Sequence, residues 1–277
     1  MRVIKQISKL QLNLLNQKKI GKKVHLIPTM GALHDGHISL VKSAKAKKAI
    51  RIVSIFVNPD QFSPNEDLNK YPSTIKHDLK LLKKERVDIV FLPNKDEIKK
   101  YKIKYKIPNL SIENKLCGKT RPHFFPGVKK IVTKLFDIIE PDKSFFGEKD
   151  YQQYLVIKEL CKKMKRKTVI VKCRTIRDQK GLALSSRNNY LNEKEKKMAQ
   201  KINQLVKQFL PFFRKNLKVG TGTQMLKKDL YKHGIDSIDY LKIFTEQLTT
   251  RKKLNDKCRL FIAVKIGSTR LIDNYKI

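Results

Sequence analysis

The stretch Met30-Gly31-Ala32-Leu33-His34-Asp35-Gly36-His37 puts two imidazoles and two glycines where an apolar run hands over to an amphipathic one. Gly31 and Gly36 let the backbone approach a ligand closely. Free N–H groups at the start of the following helix would face an anion. His34 and His37 are three residues apart, so both project from the same side of that helix. An imidazole N–H aimed at a phosphate oxygen stabilises the charge that develops when a phosphate leaves, and this spacing suits that chemistry best. A zinc site would need a further Cys, His or acidic ligand, and H-x-x-H alone identifies none.

The elements that must position these residues can be read from periodicity. From residue 24 the chain alternates short apolar runs with longer amphipathic ones, the signature of β-α-β units and a parallel sheet. Residues 24–28 read as a strand, a glycine-punctuated turn follows, and a helix runs through 38–41. A buried strand at 52–57 stops at Asn58-Pro59. Ile75, Leu79 and Leu82 recur at helical spacing across 74–86, and 88–92 is the next strand. Residues 98–125 are less regular, being broken by Pro108, Gly118 and Pro122. A helix is expected after Pro126-Gly127, then a strand at 144–146, a helix at 151–164 and a strand at 168–171. Beyond Arg187 the texture changes to a helix at 193–213, another at 225–232, and strands at 240–244 and 260–266. The expected fold is α/β, a Rossmann-like doubly wound parallel sheet in residues 1–176 followed by a smaller α+β domain in residues 177–277.

Composition narrows the function classes. Of 277 residues, 63 are Lys or Arg and 25 Asp or Glu, giving a formal net charge of +38. Such a balance is often the footprint of a nucleic-acid binder. Here, however, 51 of the 63 basic residues are Lys, Trp is absent, and no segment interleaves aromatics with basic residues. A lysine-rich solvated surface is the better reading, with no specific nucleic acid as partner. No apolar run is long enough to cross a membrane, and the first residues lack a signal peptide's apolar core, so a cytoplasmic protein is expected. Cys117, Cys161, Cys173 and Cys258 form no C-x-x-C pair and read as reduced thiols.

The histidine segment resembles the H-x-G-H signature of the nucleotidyltransferase superfamily, and three further motifs narrow the resemblance to the pantoate-β-alanine ligase family. Phe56-Val57-Asn58-Pro59-Asp60-Gln61-Phe62 is similar to its F-V-N-P-x-Q-F, and Phe146-Gly147-Glu148-Lys149-Asp150-Tyr151-Gln152-Gln153 to its F-G-E-K-D-[YF]-Q-Q. Gly181-Leu182-Ala183-Leu184-Ser185-Ser186-Arg187-Asn188 is similar to its G-L-A-[LM]-S-S-R-N. Taken singly these are ordinary loop residues; their joint occurrence in order carries the resemblance, which runs on to Arg270-Leu271-Ile272-Asp273-Asn274.

The resemblance implies condensation of pantoate with β-alanine at the expense of ATP, giving pantothenate, AMP and pyrophosphate through a pantoyl adenylate. It implies His34, His37, Lys149 and Arg187 as catalytic residues. ATP would be held by residues 30–37, which are Met30, Gly31, Ala32, Leu33, His34, Asp35, Gly36 and His37. Gly147, Glu148, Lys149, Asp150, Ile176, Leu184, Ser185, Ser186 and Arg187 would complete that site. Gln61 and Gln153 would anchor pantoate, Gln61 would also meet β-alanine, and Mg²⁺ would ride on the ATP phosphates. The resemblance also suggests a homodimer through the N-terminal domain. One departure stands out: where the family reads R-P-G-H-F-x-G-V, this chain has Arg121-Pro122-His123-Phe124-Phe125-Pro126-Gly127-Val128, with Phe124 at the usual His position. Two alternatives remain at this level, another adenylylating enzyme on the same fold and a basic nucleic-acid-binding protein.

Overall fold

The apolar runs become neighbouring strands because the central ones are buried on both faces, the condition that removes period-two alternation from parallel sheets. The computed structural model describes residues 1–64, 66–217 and 219–277. Its first part contains β1 (Arg2–Ile4), α1 (Ile7–Lys19), β2 (Lys23–Thr29), α2 (Asp35–Ser43), β3 (Ala49–Ile55), α3 (Ile75–Lys84), β4 (Ile89–Phe91) and α4 (Lys95–Lys100). It continues through α5 (Leu116–Thr120), α6 (Phe124–Ile139), β5 (Lys143–Gly147), α7 (Tyr151–Lys163) and β6 (Val169–Cys173). The last part contains α8 (Glu193–Lys215), α9 (Gly220–Lys232), β7 (Ser237–Thr245), β8 (Cys258–Ile266) and β9 (Thr269–Lys276).

The first six strands form one parallel sheet in the order β1-β4-β3-β2-β5-β6. Successive strand residues feed opposite faces. Leu26, Ile52, Ile89 and Phe91 join a core with α1, α6 and α7, whereas Ile27, Val53 and Val90 join one with α2 and α3. The expected doubly wound α/β architecture is therefore present. From β2 the chain winds through β3 to β4 on one side, and β5 and β6 lie on the other. The direction of winding reverses between β2 and β5, and their carboxyl ends diverge there to leave a crevice. β7, β8 and β9 form an antiparallel meander covered by α8 and α9, with Leu205, Val206, Leu226 and Leu230 packed against Ile262 and Val264. This is the smaller α+β unit expected at the C-terminus.

Several boundaries differ from expectation: β3 starts at Ala49, α9 at Gly220 and β7 at Ser237, each three to five residues early, and the start of α6 bears on the site. α6 starts at Phe124, before Pro126-Gly127 rather than after it. A proline in the first turn is tolerated because its missing N–H would have no intrahelical acceptor there. Gly127 has a packing reason. A Cβ on it would stand 2.2 Å from the carbonyl oxygen of Asp60 and 2.7 Å from the Gln61 nitrogen. The Gly127 carbonyl also accepts a hydrogen bond from Asn58 Nδ2 at 3.2 Å. α6 therefore clamps the Pro59–Gln61 turn by backbone contact, and the position of Gln61 depends on it. Gly127→Ala should lower stability by about 1–3 kcal/mol, as for other overpacked sites, and should raise the KM for whatever substrate Gln61 binds. Denaturant unfolding together with steady-state kinetics checks both, and an unchanged midpoint would contradict the contact.

Candidate active site

β2 ends at Thr29, whose Oγ1 donates to the Ser54 carbonyl at 2.8 Å and accepts the Gly31 N–H at 3.3 Å. The chain then turns through Gly31 at φ +86° and Ala32 at φ +50°. Both residues lie in the left-handed region, which glycine enters freely and alanine only at a cost. The turn is held by Asp78 of α3, which is fully buried. Its carboxylate accepts the N–H groups of Ala32 and Leu33 at 3.0 and 2.9 Å and the Thr74 hydroxyl at 2.9 Å.

α2 begins immediately after this turn with His34 as its N-cap. His34 Nδ1 accepts the Gly36 N–H at 3.1 Å, and His37 Nδ1 accepts the His34 N–H at 3.4 Å. This is the reciprocal logic of a capping box, performed by two imidazoles. The backbone donors of the turn and helix start that were expected to face an anion are in part already engaged, by Asp78 and by the two rings. Because each Nδ1 accepts, the proton of each neutral ring sits on Nε2. The ring centroids are 4.1 Å apart. Burial, reinforced by Lys149, pushes His34 down to about 4. Burial, then His34 and Lys149, pushes His37 down to about 3. Both are neutral Nε2–H donors at pH 7.

The opposite wall follows β5. Gly147 leads into the short turn Glu148–Asp150, and Lys149 Nζ lies 3.9 Å from Asp150 Oδ1. Asn274 of β9 donates through Nδ2 to the carbonyls of Glu148 and Lys149 at 2.8 and 3.0 Å. The Glu148 carboxylate points away from the crevice, bonded to the buried Arg259 guanidinium and 3.2 Å from Lys172. A third wall comes from the segment beyond β6. Ser185 Oγ accepts the Arg187 N–H at 3.3 Å, the Ser186 and Tyr71 hydroxyls lie 2.9 Å apart, and Arg187 is paired with Asp67. Below them, Gln61 Nε2 lies 2.8 Å from Met30 Sδ.

These walls line a cleft of about 220 Å³ at the switch between β2 and β5. It brings together Met30, His34, Gly36, His37, Gln61, Gly147, Lys149, Asp150, Gln153, Ile176, Leu184, Ser185, Ser186 and Arg187. Five candidates lie off its walls. Gly31, Ala32 and Leu33 are buried against Asp78, Asp35 is exposed on the first turn of α2, and Glu148 is committed to Arg259 and Lys172. The cleft also gains residues that sequence reasoning did not select. Tyr71, Arg174 and Thr175 are polar, and Phe56, Phe124, Val128, Val132, Phe145 and Phe146 form an apolar wall beside Gln61 and Gln153. Arg174 and Thr175 could have been found from their place just past the carboxyl end of a parallel strand. Phe124 carries the Arg121 guanidinium 4.2 Å from its ring centre, so the replaced histidine position now stacks on a cation.

Among the described residues no group of three or more His, Cys, Asp or Glu could hold a metal ion. The remaining histidines are elsewhere. His25 is buried with Nδ1 2.7 Å from the Ala44 carbonyl oxygen, and His77, His123 and His233 are exposed. No helix among the described residues is long and apolar enough to cross a membrane.

Residues 2–276 match the sequence signature of the family described as Pantoate-beta-alanine ligase. The pantothenate synthetase of Acetivibrio thermocellus is 39% identical over 283 residues, covering 99% of this chain and 98% of the relative. That of Ruthia magnifica is 44% identical over 272 residues, covering 97% and 95%. The crystal structure of pantothenate synthetase from Thermus thermophilus superposes with a TM-score of 0.86 at 30% identity, covering 100% of this chain and 99% of that one. The pantoate-beta-alanine ligase of Francisella tularensis, solved in complex with beta-gamma ATP and beta-alanine, gives 0.84 at 36% identity, covering 100% and 97%. Matched from residue 2 to residue 276 and at this level of identity to relatives along nearly their whole lengths, the chain belongs to the pantoate-beta-alanine ligase family.

Proposed function

We propose that this cleft condenses pantoate with β-alanine at the expense of ATP, releasing pantothenate, AMP and pyrophosphate by way of a pantoyl adenylate. The observation that carries the reading is one cleft in which two neutral imidazoles and Lys149 stand with the amides of Gln61 and Gln153. A pantoate carboxylate oxygen attacks the α-phosphorus in line, and the bond to the bridging oxygen of pyrophosphate breaks. The enzyme's task is to hold two anions together and to stabilise the departing one. Nε2–H of His34 and His37 donates to the phosphate oxygens, Lys149 and Arg187 supply fixed positive charge, and Ser185 and Ser186 add donors. Gly147, Asp150, Ile176 and Leu184 hold the nucleoside, while Gln61 and Gln153 present amides to the pantoate hydroxyls and carboxylate. In the second step the β-alanine amine, received beside Gln61, attacks the acyl carbonyl, AMP leaves, and the amine loses a proton. Mg²⁺ enters as part of the ATP substrate and neutralises phosphate charge.

Residues 1–176 then form the nucleotide- and pantoate-binding domain, and residues 177–277 cover the site. A cytoplasmic homodimer goes with this reading. Leu12 and Leu15, exposed on α1, supply apolar surface that an assembly through the N-terminal domain could cover.

The assay is pyrophosphate release from ATP that requires pantoate, with AMP and pantothenate formed only once β-alanine is added. Turnover that ignores pantoate would reject the substrate. His37→Ala should cut kcat by roughly 10²–10³, the cost of one transition-state donor, and lower stability only by about 0.5–2 kcal/mol, the cost of one cap bond. Unfolding of that variant would make His37 a structural residue instead.

The neutral rings also fix a pH dependence. In the unfolded chain both imidazoles take up protons near 6.5, but in the fold only near about 4 for His34 and about 3 for His37. The unfolded state therefore binds more protons across that window, and stability is lost as pH falls from about 6.5. His37→Gln should lose about 1–2 kcal/mol less than the parent between pH 7 and pH 5 in denaturant titrations. Equal losses would mean that His37 is not held neutral.

A further inference from the structure

Arg187 reaches the cleft with one edge already occupied. Its Nε and Nη2 donate to Oδ2 and Oδ1 of Asp67 at 2.9 and 2.8 Å, a side-on fork that leaves Nη1 without a partner among the described residues. Asp67 itself is not on the cleft wall, whereas Arg187 is. The pair does not stand alone. Asp67 opens the short turn Asp67–Lys70, and Arg187 belongs to the turn Ser186–Tyr190. Two more bonds join these turns: the Tyr71 and Ser186 hydroxyls are 2.9 Å apart, and the Tyr190 hydroxyl donates to the Lys70 carbonyl at 3.2 Å. Next to Asp67, Glu66 is paired with Arg121, which also donates to the Gln61 carbonyl at 3.3 Å. One segment thus braces both the Ser186-Arg187 wall and the Gln61 turn.

We infer that Asp67 is a positioning residue for the nucleotide end of the reaction: it fixes the Arg187 guanidinium edge-on, so that Nη1 is the donor presented to the ATP phosphates. This rests on the reading of Arg187 as a phosphate-facing group. A planar guanidinium held along one edge has fewer rotamers to lose when the other edge meets an anion. The carboxylate also cancels much of the arginine's net charge, so the contact rewards direction rather than bulk attraction. The side chains of Asp67 and Arg187 are only 22% and 26% exposed, so solvent screens the pair less than it would a surface bridge. Burial alone would raise the Asp67 carboxyl, but hydrogen bonding and attraction from Arg187 outweigh it and keep the group below its ordinary value. Asp67 therefore stays ionised at neutral pH.

The opposite possibility is a clasp that competes with phosphate for Arg187, and it predicts the opposite sign. The full chain is compared with Asp67→Asn, Arg187→Ala, the double variant and Arg187→Lys, using ATP, pantoate and β-alanine and checking the fold of each by thermal unfolding. Asp67→Asn keeps the shape and removes the charge and one acceptor. It should lower kcat/KM for ATP by roughly 10- to 100-fold, the range of coupling between contacting residues, with the KM for pantoate within about twofold. In the Arg187→Ala background it should cost nothing further. Arg187→Lys, which keeps charge but cannot form the fork, should lose about as much as Asp67→Asn and tests the fork even if Asp67→Asn unfolds. An equal loss from Asp67→Asn with and without Arg187 would overturn the proposal, as would full activity of Arg187→Lys or a lower KM for ATP in Asp67→Asn. If Arg187→Ala alone leaves kcat/KM for ATP intact, the phosphate-facing reading of Arg187 is what has failed, and the proposal falls with its premise.

Discussion

The buried carboxylate of Asp78 is the constraint on which the site's geometry depends. Two consecutive residues, Gly31 and Ala32, leave β2 in the left-handed region, and for a non-glycine residue this costs about 1–2 kcal/mol. A carboxylate out of water is costly in turn unless its oxygens are fully engaged. Each problem solves the other. Ala32, Leu33 and Thr74 give Asp78 three donors, and hydrogen bonds to a charged acceptor contribute roughly 1.5–3 kcal/mol each, more than the strain they offset. The turn delivers His34 to the N-cap of α2, and the cap fixes both tautomers. Since Asp78 belongs to α3, which lies between β3 and β4, the direction of two Nε2–H bonds at β2 depends on neighbouring βα units.

A second tie works across the two sheets. Arg259 of β8 is almost fully buried; it bonds Glu148 and Asn274 and lies 4.3 Å from the centre of the Tyr151 ring. Asn274 in turn holds the carbonyls of the two peptide groups that flank Lys149. Breaking a buried ion pair by removing one member typically costs about 3–5 kcal/mol, because the other charge is left stranded. Lys149 is therefore presented to the cleft by a backbone segment that the C-terminal meander holds in place. The glutamate of the G-E-K-D run, which the resemblance places at the nucleotide, serves here to anchor the lysine beside it.

Much of this architecture was legible in the chain, and the parts that were not share a cause. Buried strands such as β2 and β3 advertise themselves as short, nearly continuous apolar runs, and amphipathic helices such as α3 by their helical period. β1 does not: it is three residues long at the sheet edge, and only Ile4 is even partly buried. α1 has two fully buried positions, Leu10 and Leu14, with Leu12 and Leu15 in solvent, so its apolar pattern is blurred. Motif order located the cleft through His34, Gln61, Lys149 and Arg187. What it could not reveal is which donors are already spent. Ala32 meets its acceptor 46 residues away and Arg187 meets Asp67 at a separation of 120. Spacing within a motif carries no information about partners that only the fold brings together.

The same distinction disposes of the charge. A net +38 on 277 residues suggests a strong field, yet three arginines at or behind the cleft walls are individually matched. Arg121 has Glu66, Arg187 has Asp67, and Arg259 has Glu148. Lys149 keeps only a 3.9 Å approach to Asp150, and Arg174 has no ion-pair partner among the described residues. The two imidazoles beside them are neutral. A screening length of roughly 8 Å at physiological ionic strength confines each surface lysine to its own neighbourhood. The excess can raise the encounter rate with anionic substrates, but it cannot orient one. Orientation falls to a few donors whose free edges are fixed by carboxylates and caps inside the fold, which is why a chain this basic can still carry a site built on direction.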